Sequence, residues 1–425
     1  MKSRIINADA FDALDDLDKN SVHAVVTDPP YGLAFMGRSW DDFEPKEYQE
    51  WCEKWTRKAM RVLKPGGHLL AFSGNRTHHR LFTGVEDAGF EVRDTLTWHY
   101  GSGFPKASDI SKTIDKRADA EREVVGTYKT PATGKEHGYE DSGTTSYKEH
   151  KDTACSDLSI TAPATEAAKK CDGFKTGLKP STEFVVMARK PYDGATVDCV
   201  LEHGTGALNI DGCRIGHDEE CKTISAQQAG DKVYSQAGRR EETLELKPEG
   251  RYPSNLMFDE VAAEQLDADV GESNSNIREP AGPNDTHGFG ASDRDYGDNP
   301  DEYDGNYERG FDDSGGPSRY FYTSKASRSE RTLDGKIDNA HPTVKPGDLM
   351  QWLVKLVTAE NQIVLDPFAG SGTTLRAAKD LNRQFIGIER QPKWADVARV
   401  RAGLTPDDPS TVRDDADQSG LEAYE

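Results

Sequence analysis

The stretch that decides the fold is QIVLDPFAGSGTTLRAAKDLNRQFIGIER, residues 362–390. An apolar segment ending in Asp366 is followed by a glycine-rich turn, a segment of helical periodicity and a second apolar segment ending in Glu389. This order predicts strand, turn, helix and strand, the unit from which parallel sheets are built. Gly370 and Gly372 let the backbone bend sharply and approach a ligand closely, so the turn is a candidate ligand site.

The end of the second strand indicates which ligand this turn suits. A carboxylate there, Glu389, can accept hydrogen bonds from both hydroxyl groups of a ribose. No lysine follows the second glycine, which argues against the triphosphate site of a P-loop ATPase. Taken alone, the two glycines are equally typical of a tight strand-to-helix turn that binds no ligand. Together with Asp366 and Glu389, they favour a nucleoside cofactor.

A second motif, HAVVTDPPYG at residues 23–32, follows a predicted buried strand near the beginning of the chain. Pro29 and Pro30 exclude a helix or a sheet interior and direct the Pro29 carbonyl outward. This carbonyl and the Asp28 side chain can each accept one hydrogen of an exposed amino group, and Tyr31 can stack on the base that carries it. The alternative is a proline-stiffened surface turn without chemistry.

The segments around these motifs predict an alternating α/β chain, and hence a doubly wound sheet in which the turns of the two motifs lie at neighbouring strand ends. We expect helices over residues 46–63, 77–88, 347–358 and 393–401, with strands in HLLAFSG (68–74), FEVRDTLTWHY (90–100) and TEFVVMARKP (182–191). Pro65-Gly66-Gly67 is expected to end the first of these helices.

Changes in composition predict how the chain is divided. The predicted parts are a first α/β part (1–100), a polar insertion (101–181) with a flexible loop near 128–172, a single strand (182–191), an irregular region with acidic flexible loops (192–340), a second α/β part (341–404) and an acidic disordered tail (405–425). Islands of order are expected within residues 192–340 at ALNIDGCRI, RYPSNLMFD and SRYFYTSKASRSER.

The net charge of −22 over 425 residues is unusual for a protein that holds DNA, because phosphate binding favours basic surfaces. Either the chain does not bind nucleic acid or it works in concentrated salt, where charge repulsion is screened. We favour a halophilic origin as a hypothesis. No secretory signal or long apolar run is evident, so we expect a cytoplasmic protein with reduced cysteines. Cys199, Cys213 and Cys221 lack the usual zinc spacing, so we expect no metal centre.

DPPYG, HPTVKP and FAGSGTT, in this order, resemble the amino-methyltransferases of DNA, in the permuted arrangement called β-class. GSGFPK, ALNIDGCRI and RYPSNLM are more loosely similar to site-specific methyltransferases of bacterial and archaeal viruses. The resemblance implies a Rossmann-like methyltransferase sheet, S-adenosylmethionine as cofactor and methyl transfer to the amino group of a base. It covers roughly residues 1–110, 180–190 and 340–402.

The resemblance also implies residue roles. Asp28, Pro29, Pro30 and Tyr31 would form the catalytic face. Asp9 would hold the cofactor's adenine amine and Lys345 would lie near its methionine carboxylate, although a helix N-cap and a solvated lysine are the respective alternatives. The cofactor would be lined by Asp366, Phe368, Gly370, Gly372 and Thr373, with Glu389 on its ribose.

Within the family, Asp as the first motif residue favours adenine N6 over cytosine N4, which stays the alternative. Methyltransferases of RNA or of protein amides and a non-catalytic DNA-binding module are less favoured. Double-stranded DNA is the expected partner, and a homodimer and a cognate restriction endonuclease are left open. The recognition sequence is expected to be read between about 101 and 340. Candidate contacts there are Arg319, Tyr320, Lys325, Arg328 and Arg331.

Overall fold

The computed structural model describes most of the chain. The described residues are 3–33, 43–101, 107–129, 157–216, 224–225, 245–246, 250–274, 314–324, 330, 332–333, 335–337, 339 and 344–412. They group into two compact units, the first formed by Met1–Tyr31, Phe43–Gly101 and Thr182–Glu425, the second by Gly32–Asp42 and Ser102–Ser181.

Strands and helices alternate along much of the described chain. The strands are β1 (Arg4–Asn7), β2 (Val22–Thr27), β3 (Leu63–Ser73), β4 (Glu91–His99), β5 (Val124–Lys129), β6 (Asp157–Thr161), β7 (Thr182–Arg189), β8 (Ile224–Ser225), β9 (Glu245–Leu246), β10 (Leu256–Asp259), β11 (Ser273–Asn274), β12 (Ser314–Gly315), β13 (Tyr322–Ser324), β14 (Ile363–Asp366) and β15 (Gln384–Glu389). The helices are α1 (Ala10–Asp16), α2 (Pro45–Val62), α3 (His78–Asp87), α4 (Ile110–Arg117), α5 (Glu166–Lys170), α6 (Thr196–His203), α7 (Glu260–Val270), α8 (Gly347–Val357), α9 (Thr373–Asp380) and α10 (Pro392–Arg401).

The first unit is built on a nine-stranded sheet in the order β1-β15-β14-β2-β3-β7-β4-β10-β13. Neighbouring strands run parallel except at β7, which is antiparallel to both β3 and β4. Helices cover both faces: α8, α9 and α10 contribute to one apolar core and α1, α2 and α3 to the other. This architecture confirms the predicted doubly wound α/β fold.

The two sequence motifs lie on adjacent strands at the centre of this sheet. β2 and β14 pair in parallel, with Val364 opposite Ala24 and Leu365 opposite Val25. Every residue of β14 is buried, which suits a central strand covered on both faces. Because both strands end at the same edge, the turns that follow them meet there, although more than three hundred residues separate them in sequence.

The spacing of apolar residues explains why α2 is a helix. Tyr48, Cys52, Trp55, Ala59 and Val62 recur at helical intervals and are buried on one face. Pro45 occupies the first turn, where its missing N–H costs nothing. The helix ends at Val62, close to the predicted boundary. Pro65-Gly66-Gly67 follow this end, as predicted, but they lie within β3, which begins at Leu63, and not in a turn that precedes the strand.

The region 192–340 contributes more to the sheet than its irregular sequence suggests. β10 and β13 lie in two of the three predicted islands of order, RYPSNLMFD and SRYFYTSKASRSER, and extend the sheet beyond β4. The predicted tail is ordered at its beginning, since Asp396 accepts hydrogen bonds from the backbone N–H groups of Asp407 and Asp408. The prediction of disorder from residue 405 is therefore corrected as far as residue 412, and residues 413–425 lie outside the described part.

The second unit corresponds largely to the predicted polar insertion. Its described residues form α4, α5 and an antiparallel pair of β5 and β6. Both β6 and α5 lie within residues 128–172, so the prediction of a flexible loop was wrong for these two segments. Residues 130–156 of that loop lie outside the description. The buried Asp115 carboxylate holds the unit together, accepting hydrogen bonds from Arg122, from the Ala164 N–H and from Thr165.

Candidate active site

A direct side-chain contact joins the two turns at the carboxyl edge of the sheet. The Thr27 hydroxyl, the last group of β2, donates to Asp366 Oδ1 at 2.6 Å. Both side chains are buried. The amine-binding turn (the Asp-Pro-Pro-Tyr turn, residues 28–31) and the glycine turn (residues 368–374) therefore lie at neighbouring strand ends, as expected.

Asp366 holds the glycine turn from within. Its carboxylate also accepts from the Phe368 N–H at 3.1 Å, and burial raises its pKa to about 6 despite these hydrogen bonds. With 2% of its surface exposed, the side chain points into the protein. The geometry therefore supports a role in shaping the turn, not in contacting a cofactor directly.

The Glu389 carboxylate accepts hydrogen bonds from a backbone N–H group of the glycine turn and from one in the segment that follows β15. Its Oε2 accepts from the Gly370 N–H at 3.0 Å and its Oε1 from the Gln391 N–H at 2.7 Å. Burial raises the pKa of this carboxyl above its usual value. Each oxygen has a second lone pair, so the group can accept further hydrogen bonds from a diol such as ribose.

The turn itself has the backbone that its glycines predict. Gly370 and Gly372 adopt φ values of 51° and 81°, a region that other residues rarely enter. Phe368 packs edge-on against Trp55, with ring centroids 5.3 Å apart. An apolar wall therefore borders one side of the turn.

Asp9 lies at the same edge of the sheet, two residues after β1. Its side chain caps α1, accepting from the Phe11 N–H at 2.9 Å. Asn7, at the end of β1, donates to the carbonyls of Glu389 and Arg390. The structure thus realises the N-cap alternative and places Asp9 near the strand that ends in Glu389.

The two proline carbonyls of the Asp-Pro-Pro-Tyr turn differ in their hydrogen bonds. Tyr48 of α2 donates its hydroxyl to the Pro30 carbonyl at 2.9 Å. For the Pro29 carbonyl, no hydrogen bond is found among the described residues. The Pro29 carbonyl, which is expected to accept a hydrogen of the amine, therefore remains available.

Four polar side chains converge beside this turn. Lys345 Nζ lies 2.6 Å from Asp28 Oδ2 and 3.3 Å from Glu183 Oε2. The Tyr31 hydroxyl lies 2.8 Å from Asp28 Oδ1 and 3.2 Å from Glu183 Oε2. Lys345 was expected near a methionine carboxylate, and the structure instead places its ammonium on the carboxylate of the amine-binding motif.

Burial and charge shift the pKa values in this cluster. Burial raises the pKa of Glu183, and the Lys345 ammonium opposes that rise. Burial alone would lower the pKa of Lys345, but Asp28 and Glu183 raise it above its usual value. Burial, Asp28 and Glu183 together raise the pKa of Tyr31 well above its usual value. Lysine and tyrosine therefore both keep their protons at neutral pH.

Three residues of the site were missed by the sequence analysis. Glu183 lies in a correctly predicted strand and Tyr48 in a correctly predicted helix, and neither local pattern marks the residue as part of a site. Arg401 is 1% exposed, and its Nη1 donates to the Ser371 carbonyl and to the Thr373 hydroxyl, each at 3.0 Å. A fully buried arginine at the end of a helix has no local sequence signal that distinguishes it from a surface arginine.

The predicted recognition residues are only partly described. Arg319 donates to the carbonyls of Gly315, Gly316 and Ser273, so its guanidinium is used within the protein. Tyr320 stacks beneath this guanidinium, with its ring centroid 4.4 Å from the guanidinium carbon. Lys325, Arg328 and Arg331 lie outside the described residues.

Other features of the described chain lie away from this edge. A cleft of about 680 Å³ opens at the amino ends of β14 and β15, lined in part by Leu208, Lys355 and Arg383. Among the described residues, no group of histidine, cysteine, aspartate or glutamate is arranged to hold a metal ion. Within the same residues, no helix is both long and apolar enough to cross a membrane.

Comparison with known proteins assigns the family. The model of the DNA methylase family (N6_N4_Mtase) matches residues 22–399, so the chain belongs to this family. The chain is similar to the type II methyltransferase M.HindIII of Haemophilus influenzae, with 24% identity over 438 residues that cover 94% of this chain and 95% of the relative. M.HpaI of Haemophilus parainfluenzae is 32% identical over 117 residues, 27% of this chain and 37% of the relative. Among solved structures, the cytosine-N4-specific PvuII DNA methyltransferase matches with a TM-score of 0.44 at 14% identity, covering 94% of this chain and 86% of that one.

DNA methylases of this family take their methyl group from S-adenosylmethionine. The glycine turn fits this group: Glu389 retains free lone pairs for ribose hydroxyls, two glycines keep side chains away from the backbone, and Phe368 adds an apolar wall. The predicted family and cofactor are thus confirmed.

Proposed function

We propose that this chain is a site-specific methyltransferase that modifies the N6 amino group of adenine in double-stranded DNA. The observation that carries the proposal is the contact between Thr27 and Asp366, which joins the amine-binding turn to the glycine turn. A donor of methyl groups held at one turn and an amino group held at the other would lie side by side.

The cofactor is assigned to the glycine turn and its surroundings. Glu389 would bind the ribose hydroxyls, Asp9 the adenine amine, and Phe368 the apolar side of the adenine ring. Gly370 and Gly372 give the backbone close approach, while Asp366 and Thr373 fix the turn from inside through Thr27 and Arg401. When bound, S-adenosylmethionine supplies a methyl group on a sulfonium, and displacement by the amine lone pair leaves a neutral thioether.

The Asp-Pro-Pro-Tyr turn would position and activate the amine. The Asp28 carboxylate and the Pro29 carbonyl accept its two hydrogens, which localises the nitrogen lone pair toward the methyl group. The modified nitrogen must also lose a proton, and Asp28 is placed to accept it. Because the amine lies inside a duplex, the base must be flipped out, at a cost of a few kcal/mol. Stacking on Tyr31 would offset part of this cost.

Adenine is favoured over cytosine because the motif begins with Asp, the residue commoner among enzymes that modify adenine N6. Transfer to cytosine N4 is the alternative, since both amines present two hydrogens and one delocalised lone pair. A methyltransferase of RNA or of a protein amide would prefer those substrates over duplex DNA. A DNA-binding module without activity would lack measurable cofactor binding.

The recognition sequence is assigned to the region between about 101 and 340. We place the enzyme in the cytoplasm, where a cognate restriction endonuclease would act on the same site if one exists. A homodimer stays open.

Nucleotide-resolved mapping of DNA from cells that express the chain tests this proposal. N6-methyladenine at one short sequence motif, absent with the Asp28→Ala variant, is the expected result. N4-methylcytosine at such a motif would correct the base, and unmodified DNA under conditions where the chain binds the cofactor would refute the activity.

The acidic charge yields a separate test. With a net charge of −22, the chain should bind DNA poorly in dilute buffer and better in about 1 M salt, where the Debye length is about 3 Å. Methyl transfer to a plasmid, measured from low to molar potassium chloride, should therefore rise with salt. An optimum in dilute buffer would contradict the proposed high-salt origin.

A further inference from the structure

Glu183 brings a second carboxylate to the amine-binding turn, although no motif of the family resemblance includes it. It lies on β7, the antiparallel strand between β3 and β4. Its side chain is 19% exposed, as is that of Asp28. Both groups contact the same ammonium, because Lys345 Nζ is 2.6 Å from Asp28 Oδ2 and 3.3 Å from Glu183 Oε2.

The charges of the cluster decide what Asp28 can do. Asp28 and Glu183 together carry two negative charges and Lys345 one positive charge, which leaves one net negative charge beside the amine. Without Glu183, Lys345 would neutralise Asp28 completely. A neutralised carboxylate is a weaker acceptor for the amine, and it stabilises less well the positive charge that develops on the nitrogen during methyl transfer.

We propose that Glu183 is a positioning residue that shares the Lys345 ammonium with Asp28 and so keeps Asp28 negative toward the target amine. This inference rests on the proposed function. Glu183 also accepts from the Tyr31 hydroxyl at 3.2 Å, which holds the ring between the two carboxylates. Two further titratable groups of the described residues interact with this cluster. The pKa of Tyr100 is raised by burial and by Glu183 and lowered by Lys345, and Asp28 contributes to the raised pKa of Asp366.

The test is a double-mutant cycle between Glu183 and Lys345. Glu183→Gln should lower kcat about 30-fold while the KM for DNA and the Kd for S-adenosylmethionine change less than about threefold. Lys345→Met alone should also lower kcat, since two adjacent carboxylates without a counter-ion favour protonation of one of them. In the double variant Asp28 again carries the only charge, so kcat should exceed that of Glu183→Gln by about fivefold.

Two variants control for folding and for loss of any carboxylate. Glu91→Gln removes a carboxylate on the neighbouring strand β4, which pairs with Arg189 at 2.7 Å, and should leave kcat unchanged. Glu183→Asp retains the charge at a greater distance, so its kcat should lie between those of the wild type and Glu183→Gln. If Glu183→Gln does not fold, as judged by its thermal unfolding midpoint, Glu183→Met, which also removes the charge, takes its place in the cycle.

The outcomes separate this inference from the proposed function. A wild-type chain that methylates DNA, with a Glu183→Gln variant of equal kcat, would overturn the inference alone. A double variant slower than Glu183→Gln would do the same, because it would show two independent structural losses. A wild-type chain that binds the cofactor and transfers no methyl group to any DNA would overturn the proposed function and this inference with it.

Discussion

The two turns at the carboxyl edge of the sheet are held in different ways. The glycine turn is fixed by buried groups that do not need to move. Asp366 is 2% and Arg401 1% exposed, and they bind backbone groups and hydroxyls of the turn and the Thr27 hydroxyl of β2. The Asp-Pro-Pro-Tyr turn is fixed by partly exposed charges, with Lys345 on both Asp28 and Glu183.

This difference predicts that the glycine turn determines the affinity for the cofactor and that the Asp-Pro-Pro-Tyr turn determines the rate of methyl transfer. Changes in the glycine turn should alter cofactor binding and stability, because its backbone geometry depends on buried neighbours. Changes in the Asp-Pro-Pro-Tyr turn should alter the rate of methyl transfer and leave cofactor binding nearly unchanged. Each of the following variants tests whether the two effects separate in this way.

Replacing the first residue of the motif should give the largest effect. Asp28→Ala removes the carboxylate acceptor of the amine, and we expect the methyl-transfer rate to fall by about 1,000-fold or more. Cofactor affinity, measured by calorimetry, should stay within about threefold. Asp15→Ala, which removes an exposed carboxylate paired with Lys58, is the control. If Asp28→Ala retained full activity, Asp28 would not be the acceptor of the target amine.

Gly372→Ala should impair the other turn. The glycine has a φ of 81°, and an added Cβ would lie 2.9 Å from the Ala398 Cα. We expect a loss of about 2–4 kcal/mol in the free energy of unfolding and cofactor binding weakened by about tenfold or more. Gly173→Ala, with the same φ and no atom within 4 Å of the added Cβ, should cost only about 1 kcal/mol. Equal losses in both variants, measured by chemical unfolding, would rule out the packing argument.

Arg401→Met should show the contribution of the buried guanidinium. The substitution keeps much of the side-chain volume but removes the donors to Ser371 and Thr373. Cofactor affinity should fall about tenfold, with kcat at saturating cofactor nearly unchanged. Arg376→Met, at a partly exposed arginine of α9 that pairs with Asp380, should have little effect. A fall in kcat without a change in affinity would argue against the assignment of Arg401 to the cofactor turn.

Tyr48→Phe should have the smallest effect and should act on rate alone. It removes one hydrogen bond, the 2.9 Å contact to the Pro30 carbonyl, without changing the packing of the ring. Such a bond contributes about 0.5–1.5 kcal/mol, so we expect a loss of about three- to tenfold in kcat. Tyr192→Phe, whose hydroxyl contacts Arg189 and Thr196, is the matched control. A larger effect on cofactor affinity than on kcat would show that α2 serves the other turn.

The sequence was sufficient to predict the centre of the fold. The strands ending in Thr27 and Asp366 are short apolar runs followed by residues that cannot continue a strand, and parallel strands expose their ends at a common edge. Motif order and strand ends together therefore predicted the contact between the two turns. Helix α2 was predicted almost to the residue because its apolar spacing is regular.

Contacts between distant segments were not predictable from local patterns. Glu183 is the second residue of β7, and the sequence does not distinguish it from an ordinary strand-end residue until β7 is placed beside the Asp-Pro-Pro-Tyr turn. The attachment of β10 to β4 likewise depends on the course of a long chain, and neither strand carries a pairing signal. Lys345 was given a role from resemblance, whereas its actual partner depends on which carboxylates the fold brings within reach.

The most direct measurement is a structure of the chain bound to duplex DNA and to a non-reactive amine analogue of S-adenosylmethionine. The account predicts an adenine turned out of the duplex, with its N6 within hydrogen-bond distance of the Asp28 carboxylate and the Pro29 carbonyl, and the analogue's ribose on Glu389. An analogue bound elsewhere, such as in the cleft at the amino ends of β14 and β15, or an extruded base that does not reach Asp28, would contradict it.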